Sequence, residues 1–82
     1  MRILWDEPKR LSNLDKHGLD FATFGEALFS EALVFPARGG RFQAIGSLSG
    51  RLVVVVFAPL GSEALSVISM RWANRKDRRS RP

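Results

Sequence analysis

The chain has 82 residues, of which 45% are hydrophobic and 26% are charged, and it contains no cysteine. This length and apolar content predict one globular domain spanning residues 1–82 and exclude a disordered chain. The lack of cysteine excludes a disulfide framework and thiol chemistry. The most apolar run, residues 52–58, is too short to cross a bilayer, and a signal-peptide pattern is absent. We therefore expect a cytoplasmic protein that has no membrane association.

The net charge of +5 is concentrated at the C-terminal end of the chain. Residues 70–82 hold six basic residues and one acid, whereas residues 1–69 hold seven basic and seven acidic residues. A neutral body with a cationic C-terminal segment predicts a polyanionic partner, most often a nucleic acid. The alternative is a solvated tail that keeps the protein soluble.

The first eighteen residues predict a short strand and then a helix. Residues 2–5 form a short apolar start that is compatible with an edge strand. Asp6 can accept hydrogen bonds from free N–H groups, and Pro8 is tolerated in a first helical turn. The helix should end near residue 17, because Gly18 can adopt the left-handed conformation that closes a helix.

A second helix is predicted over residues 21–29. The apolar positions of this segment recur at helical spacing, at Phe21, Phe24 and Leu28. We expect these side chains, together with Phe29, to belong to the core.

In the first helix, Leu11 and Leu14 are three residues apart and share one side.

The second half of the chain changes to the composition of strands. Residues 32–35 predict a strand or an extended connection, and residues 41–48, 52–58 and 64–70 predict three strands joined by short turns. Residues 52–57 are apolar on both faces, which is typical of a central strand. Residues 71–79 then predict a basic helix. The fold class is α+β, with two N-terminal helices, an antiparallel β-meander and a C-terminal basic helix.

The available side chains exclude most enzyme classes. One histidine, no cysteine and no acid cluster at ligand spacing predict no metal site and no cofactor. No nucleophile-elbow sequence accompanies the histidine, His17. Arginine, lysine and histidine nevertheless suffice for RNA cleavage without a metal. There the 2′-hydroxyl of the substrate attacks its own phosphate, and the protein supplies a base, an acid and cations.

Two groups of motifs resemble one known family. The first is Trp5-Asp6-Glu7-Pro8-Lys9 followed by Asn13-Leu14-Asp15-Lys16-His17-Gly18. The second is Gly50-Arg51-Leu52-Val53-Val54-Val55-Val56-Phe57 followed by Ile68-Ser69-Met70-Arg71-Trp72-Ala73-Asn74-Arg75. Together they resemble BrnT-type toxins of type II toxin–antitoxin systems. Trp72 and Asp77 depart from the pattern, which commonly has a basic residue and Glu at those positions.

The resemblance implies a fold similar to RelE-type ribonucleases and an RNA cleavage that blocks translation. It also implies neutralisation by a cognate antitoxin of the BrnA type, and hence a hetero-oligomer of toxin and antitoxin. Two alternatives remain, because a basic tail also serves other functions: a non-catalytic nucleic-acid-binding domain and a protein-interaction domain.

Four residues are candidates for catalysis. Arg71 follows the third meander strand, where a guanidinium could bind phosphate through two donors. Arg51 begins the neighbouring strand at the same end of the sheet, so we expect it to accompany Arg71. His17 could act as acid or base, or it could cap the first helix. Lys16 is adjacent to His17, and the alternative for it is a solvated surface position.

The basic C-terminal segment supplies candidates for RNA binding. Its cations could contact phosphates, and its aromatic ring could stack on a base. The candidates are Arg75, Lys76, Arg78, Arg79 and Trp72. For Trp72 the alternative is ordinary packing against the domain.

Overall fold

The computed structural model describes residues 1–23 and 25–79 of the chain. Within this part, five strands and three α-helices follow one another in an α+β arrangement: β1 (Arg2–Trp5), α1 (Glu7–His17), α2 (Glu26–Ser30), β2 (Leu33–Pro36), β3 (Phe42–Leu48), β4 (Arg51–Leu60), β5 (Ala64–Trp72) and α3 (Arg75–Arg79). Short 3₁₀ turns lie at Phe21–Thr23 and Arg38–Gly40. None of the helices in the described ranges is long and apolar enough to span a membrane.

The strands form one sheet in the order β1-β5-β4-β3-β2. The neighbours from β2 to β5 are antiparallel, so the predicted meander is confirmed and β2 extends it by one strand. β1 pairs in parallel with the first half of β5, from Arg2 opposite Ala64 to Trp5 opposite Val67. The sequence did not indicate this parallel pairing, because it joins segments about sixty residues apart.

The central position predicted for the fourth strand is confirmed. Val53, Val55 and Phe57 of β4 face the main core, where Val53 and Val55 have no exposed surface. Val54 faces the opposite side of the sheet and is also fully buried. β-Branched side chains pack well on such a pleated surface, and burial on both faces explains the unbroken valine run.

A β-bulge in β5 decides which of its side chains reach the core. Phe57 of β4 lies opposite Val67, but Val56 lies opposite Ser69, so Ile68 is the extra residue. The extra residue reverses the alternation of side chains along the strand. As a result both Val67 and Met70 are buried in the core, although they are three residues apart.

The limits predicted for the first helix are confirmed, but its apolar side is not its buried side. The Asp6 carboxylate accepts a hydrogen bond from the Lys9 N–H at 3.3 Å, and Gly18 closes α1 with a φ of 69°. Leu11 and Leu14 are exposed, whereas the polar Asn13 is buried. α1 therefore contacts β5 through a polar side chain rather than through a leucine stripe.

The second predicted helix was wrong in extent. Instead of one helix over residues 21–29, the chain forms the turn Phe21–Thr23 and the five-residue helix α2. Gly25 lies between them in an extended conformation, with φ −129° and ψ −162°, and glycine disfavours a continuous helix. Phe21 and Leu28 are buried as predicted, and Phe29 packs edge-on against Phe57. Phe24 lies outside the described residues.

The predicted basic helix begins later than expected. Arg71 and Trp72 still belong to β5, where they pair with Val54 and Val53. The Ala73 N–H also donates to the Leu52 carbonyl at 2.9 Å, which extends the ladder by one bond. Strand pairing therefore overrides helix propensity up to residue 73, and α3 is only five residues long.

We predict that Gly46→Ala destabilises the domain by about 1–3 kcal/mol. A Cβ at this buried position in β3 would lie 3.1 Å from Leu28 Cγ and 3.2 Å from the Leu28 carbonyl oxygen, so the backbone of α2 would have to move. Urea unfolding measures the change. Gly25→Ala is the control, because its Cβ would meet nothing within 4 Å. Equal losses in the two variants would contradict this packing argument.

Candidate active site

The sheet has one face directed to the core and one directed away from it, which we call the outer face. Across the strands, Ile45, Val54 and Arg71 lie in one row. Gln43, Val56 and Ser69 lie in the next row on the same side. Arg71 reaches the outer face because of the bulge at Ile68, since strict alternation from Val67 would have turned its side chain to the core.

Arg71 forms a two-pronged ion pair with Asp77. Its Nη1 donates to one carboxylate oxygen at 2.6 Å, and its Nη2 donates to the other at 3.1 Å. Nη1 also lies 3.4 Å from the Trp72 carbonyl oxygen. The hydrogen bond from Arg71 is the main cause that lowers the pKa of Asp77 below its ordinary value, and the same bond raises the pKa of Arg71. The guanidinium is thus held in a fixed orientation at the end of β5.

Asp77 also takes part in the cap at the start of α3. The Asn74 side-chain oxygen accepts from the Asp77 N–H at 2.9 Å, and the Asp77 carboxylate accepts from the Asn74 N–H at 2.8 Å. This reciprocal pair has the geometry of a capping box. Because one carboxylate both caps the helix and binds Arg71, α3 is anchored to the outer face.

A cavity of about 470 Å³ lies between α3 and the outer face. Its wall combines cations, carboxamides and one carboxylate with apolar side chains of β2 and β3: Arg71, Lys76, Asn74, Gln43, Asp77, Phe35 and Ile45. A cavity with this lining could accept a phosphate together with a flat apolar group such as a base.

A second cavity, of about 260 Å³, lies between α1 and β5. The helix contributes Lys9, Ser12, Asn13, Lys16 and His17, and the strand contributes Ile68 and Ser69. These helical residues recur at spacings of three and four, so they share one side of α1. The described lining contains three basic side chains and no carboxylate. The two lysines of this lining would attract an anion.

His17 and Lys16 lie together with Lys9 in this cavity, a grouping that was not predicted from the sequence. The signal was present, because Lys9, Lys16 and His17 have the spacing of one helix face. Ser69 lines this cavity and Arg71 lines the other. Residues two apart on a strand point to the same face and lie about 7 Å apart, so the two cavities adjoin along β5.

Asn13 fixes α1 against β5. Its side-chain oxygen accepts from the Met70 N–H at 3.0 Å, and its side-chain nitrogen donates to the Leu19 carbonyl at 2.9 Å. The side chain is only 7% exposed. β1 ends at Trp5, so Asn13 supplies the hydrogen-bond partner that a longer strand would have given to β5.

Arg51 does not accompany Arg71. It lies two residues before Val53, so it is on the core side of the sheet, and its guanidinium stacks 3.8 Å from the centre of the Trp72 ring. Trp72 is partly buried against the core, which favours the packing alternative for this residue. The expected cluster of Arg51 with Arg71 therefore fails, because the two residues share an end of the sheet but not a face.

The basic residues of α3 are described in part. Arg75 and Lys76 are exposed in its first turn. The side chains of Arg78 and Arg79 lie outside the described structure. Within residues 1–23 and 25–79, no three His, Asp or Glu side chains come close enough together to hold a metal ion.

The fold and cavities define a small α+β protein with a cationic surface next to a capped basic helix. The family model described as "Ribonuclease toxin, BrnT, of type II toxin-antitoxin system" matches residues 5–77. The chain therefore belongs to the BrnT family of ribonuclease toxins. It is an endoribonuclease of a type II toxin–antitoxin system, a class in which a protein antitoxin is the partner of the toxin.

A solved structure agrees with this assignment. The crystal structure of the Brucella abortus ribonuclease toxin BrnT, at 1.1 Å resolution, is 54% identical in sequence and superimposes with a TM-score of 0.86. The alignment covers 92% of this chain and 99% of the Brucella chain. No curated protein sequence matches the chain.

We predict that the stabilising effect of Asp77 depends on pH. A carboxylate with a lowered pKa in the folded state stabilises the fold above its unfolded-state pKa, and this contribution is lost as the pH falls through the folded-state pKa. The difference in unfolding free energy between wild type and Asp77→Asn should therefore be largest near pH 7 and shrink below about pH 4.

Urea unfolding between pH 3 and pH 7 measures this difference. Asp15→Asn is the control for loss of an exposed carboxylate, and no ion pair of Asp15 is found among the described residues. A difference between wild type and Asp77→Asn that stays constant over the whole range would refute the ion-pair explanation.

Proposed function

We propose that the outer face of the sheet is the RNA-cleaving surface. The supporting observation is that Lys16 and His17 line a cavity beside Ser69, two residues from Arg71 on the same face of β5. A strand of RNA that crosses β5 would place neighbouring phosphates over the two cavities. The exposed Arg75 and Lys76 extend the positive surface beyond Arg71.

The proposed reaction uses the nucleophile of the substrate and no metal. The 2′-oxygen attacks the adjacent phosphorus while a base removes the 2′-hydroxyl proton. The bond from phosphorus to the 5′-oxygen breaks, and an acid delivers a proton to that oxygen. The products are a 2′,3′-cyclic phosphate and a 5′-hydroxyl. His17 is the proposed proton carrier, because a histidine side chain can give or accept a proton near neutral pH.

Cations stabilise the charge that develops on the phosphorane. We assign this role to Arg71 and Lys16. A guanidinium has five N–H donors, and the ion pair with Asp77 engages one N–H on each Nη atom. Asp77 then positions Arg71 while other donors of the same group remain for phosphate. We assign Arg51 no role in the chemistry, because it lies on the other face.

The wider setting of the toxin follows from its class. We propose a RelE-like mode of action, in which cleavage of cellular RNA in the cytoplasm blocks translation. An antitoxin of the BrnA type would form a hetero-oligomer with this chain and neutralise it. The α+β fold with a short basic helix on the outer face is compatible with this assignment.

We predict that Arg71→Ala and His17→Ala each lower the rate of RNA cleavage by about 10²–10³-fold, because each removes a group that acts in the transition state. Arg71→Lys should recover only part of the loss, since an ammonium cannot provide a two-pronged donor set. A fluorescent RNA oligonucleotide in single-turnover conditions gives the rates.

Arg41→Ala is the matched control, because Arg41 is exposed at the opposite end of the sheet. Circular dichroism melts check that each variant is folded. If a folded Arg71→Ala protein cleaves RNA at the wild-type rate, Arg71 is not part of the site.

We also predict that the α1 cations contribute to the salt dependence of RNA binding. Lys9→Gln or Lys16→Gln should each reduce the slope of log affinity against log salt by about 0.7, the value for one phosphate contact on a single strand. Binding is measured with an oligonucleotide whose 2′-hydroxyls are methylated and which therefore cannot be cleaved. Arg38→Gln, an exposed cation in the β2–β3 connection, is the control. Unchanged slopes in both lysine variants would remove α1 from the RNA surface.

A further inference from the structure

A third cavity opens on the side of the sheet opposite the RNA surface. It has a volume of about 510 Å³ and lies between the C-terminal end of α1 and the β3–β4 turn. We call it the Leu14 groove. Its apolar lining is Leu14, Leu19, Leu48 and Trp72, and Thr23 and Ser49 lie beside them. Trp72 pairs with Val53, so the groove is on the core side of β5, away from Arg71.

The groove continues into apolar surface on α1. Leu14 is 38% exposed, and Leu11, three residues earlier on the same side of the helix, is 53% exposed. The buried hydrogen bond from Met70 to Asn13 also holds α1 on β5, so the contact of the helix with the sheet does not depend on these leucines alone. A contiguous exposed apolar surface that borders a groove is typical of an interaction site.

The charges at the rim favour an acidic partner. Arg51 is exposed and stacks on Trp72, and no carboxylate of the described residues forms an ion pair with it. The acid of the groove, Asp20, is already bound by Arg10 through two contacts of 3.0 Å. An incoming carboxylate would therefore meet an available guanidinium and no uncompensated negative charge.

We propose that the Leu14 groove binds an amphipathic segment of the antitoxin. The apolar side chains of this segment fill the groove, and a carboxylate beside them pairs with Arg51. The proposal rests on the function of the chain as a toxin with a protein antitoxin, but not on the catalytic residues proposed above. It places the antitoxin contact on one side of the sheet and RNA on the other.

Two substitutions at Leu14 test whether the antitoxin binds at the Leu14 groove and whether its segment there is acidic. Leu14→Glu and Leu14→Arg each place a charged group at an exposed helical position with similar helix propensity. An acidic antitoxin segment should repel Glu and tolerate Arg. We expect Leu14→Glu to weaken binding of the purified cognate antitoxin by at least about tenfold more than Leu14→Arg, a difference of about 1.4 kcal/mol.

The control is Leu60→Glu, which changes an exposed leucine at the β4–β5 turn. Calorimetry gives the affinities, and RNA cleavage without antitoxin gives the activity of each variant. We expect all three variants to cleave RNA like wild type, and co-expressed antitoxin to rescue growth least for Leu14→Glu.

Three results would overturn the proposal. Wild-type antitoxin affinity for both Leu14 variants would show that the groove is not the docking site. Loss of RNA cleavage in folded Leu14→Glu without antitoxin would assign the groove to RNA. A change of oligomeric state in sizing experiments would assign it to a second copy of this chain. Failure of the proposed catalytic site would instead appear as wild-type cleavage by the folded Arg71 and His17 variants.

Discussion

The β-bulge at Ile68 is the constraint on which the arrangement of functional groups depends. Val67 and Met70 both enter the core only because one extra residue reverses the side-chain alternation of β5. The same reversal turns Arg71 to the outer face and Trp72 to the core side. Without the bulge, Arg71 would face the core, where an arginine without a partner is very costly.

After the bulge, the Met70 N–H of β5 lies beyond the end of β1, and the Asn13 side chain accepts its hydrogen bond. A buried N–H without a partner costs about 1–3 kcal/mol, so the hydrogen bond from Met70 to Asn13 holds α1 in one position. Lys9 and His17 lie four residues before and after Asn13, so the same bond places them beside β5. At the next residue of the strand, Arg71, the ion pair with Asp77 anchors α3, because such a short helix is not stable alone.

The sequence predicted those helices and strands whose limits depend on nearby residues, such as helix caps and apolar runs. Asp6 and Gly18 gave the limits of α1, and the valine run of β4 gave the centre of the sheet. The predicted antiparallel pairing of these strands placed Arg51 and Arg71 at the same end of the sheet, which is correct, but the pairing alone does not determine their faces. Faces depend on register, and the break in the alternating pattern at Ile68 was the available signal for the bulge. The parallel β1–β5 pairing left no local signal at all.

The two sides of β5 carry the two surfaces that we propose for RNA and for the antitoxin. Arg71 on the outer face and Trp72 on the core side are adjacent in sequence, so a polar, cationic surface and an apolar groove lie back to back. The body of the protein is neutral, so each surface obtains its character from a few side chains rather than from overall charge. Arg51 illustrates this division. By stacking on Trp72 it adds positive charge to the apolar side, which is the side proposed for an acidic antitoxin segment.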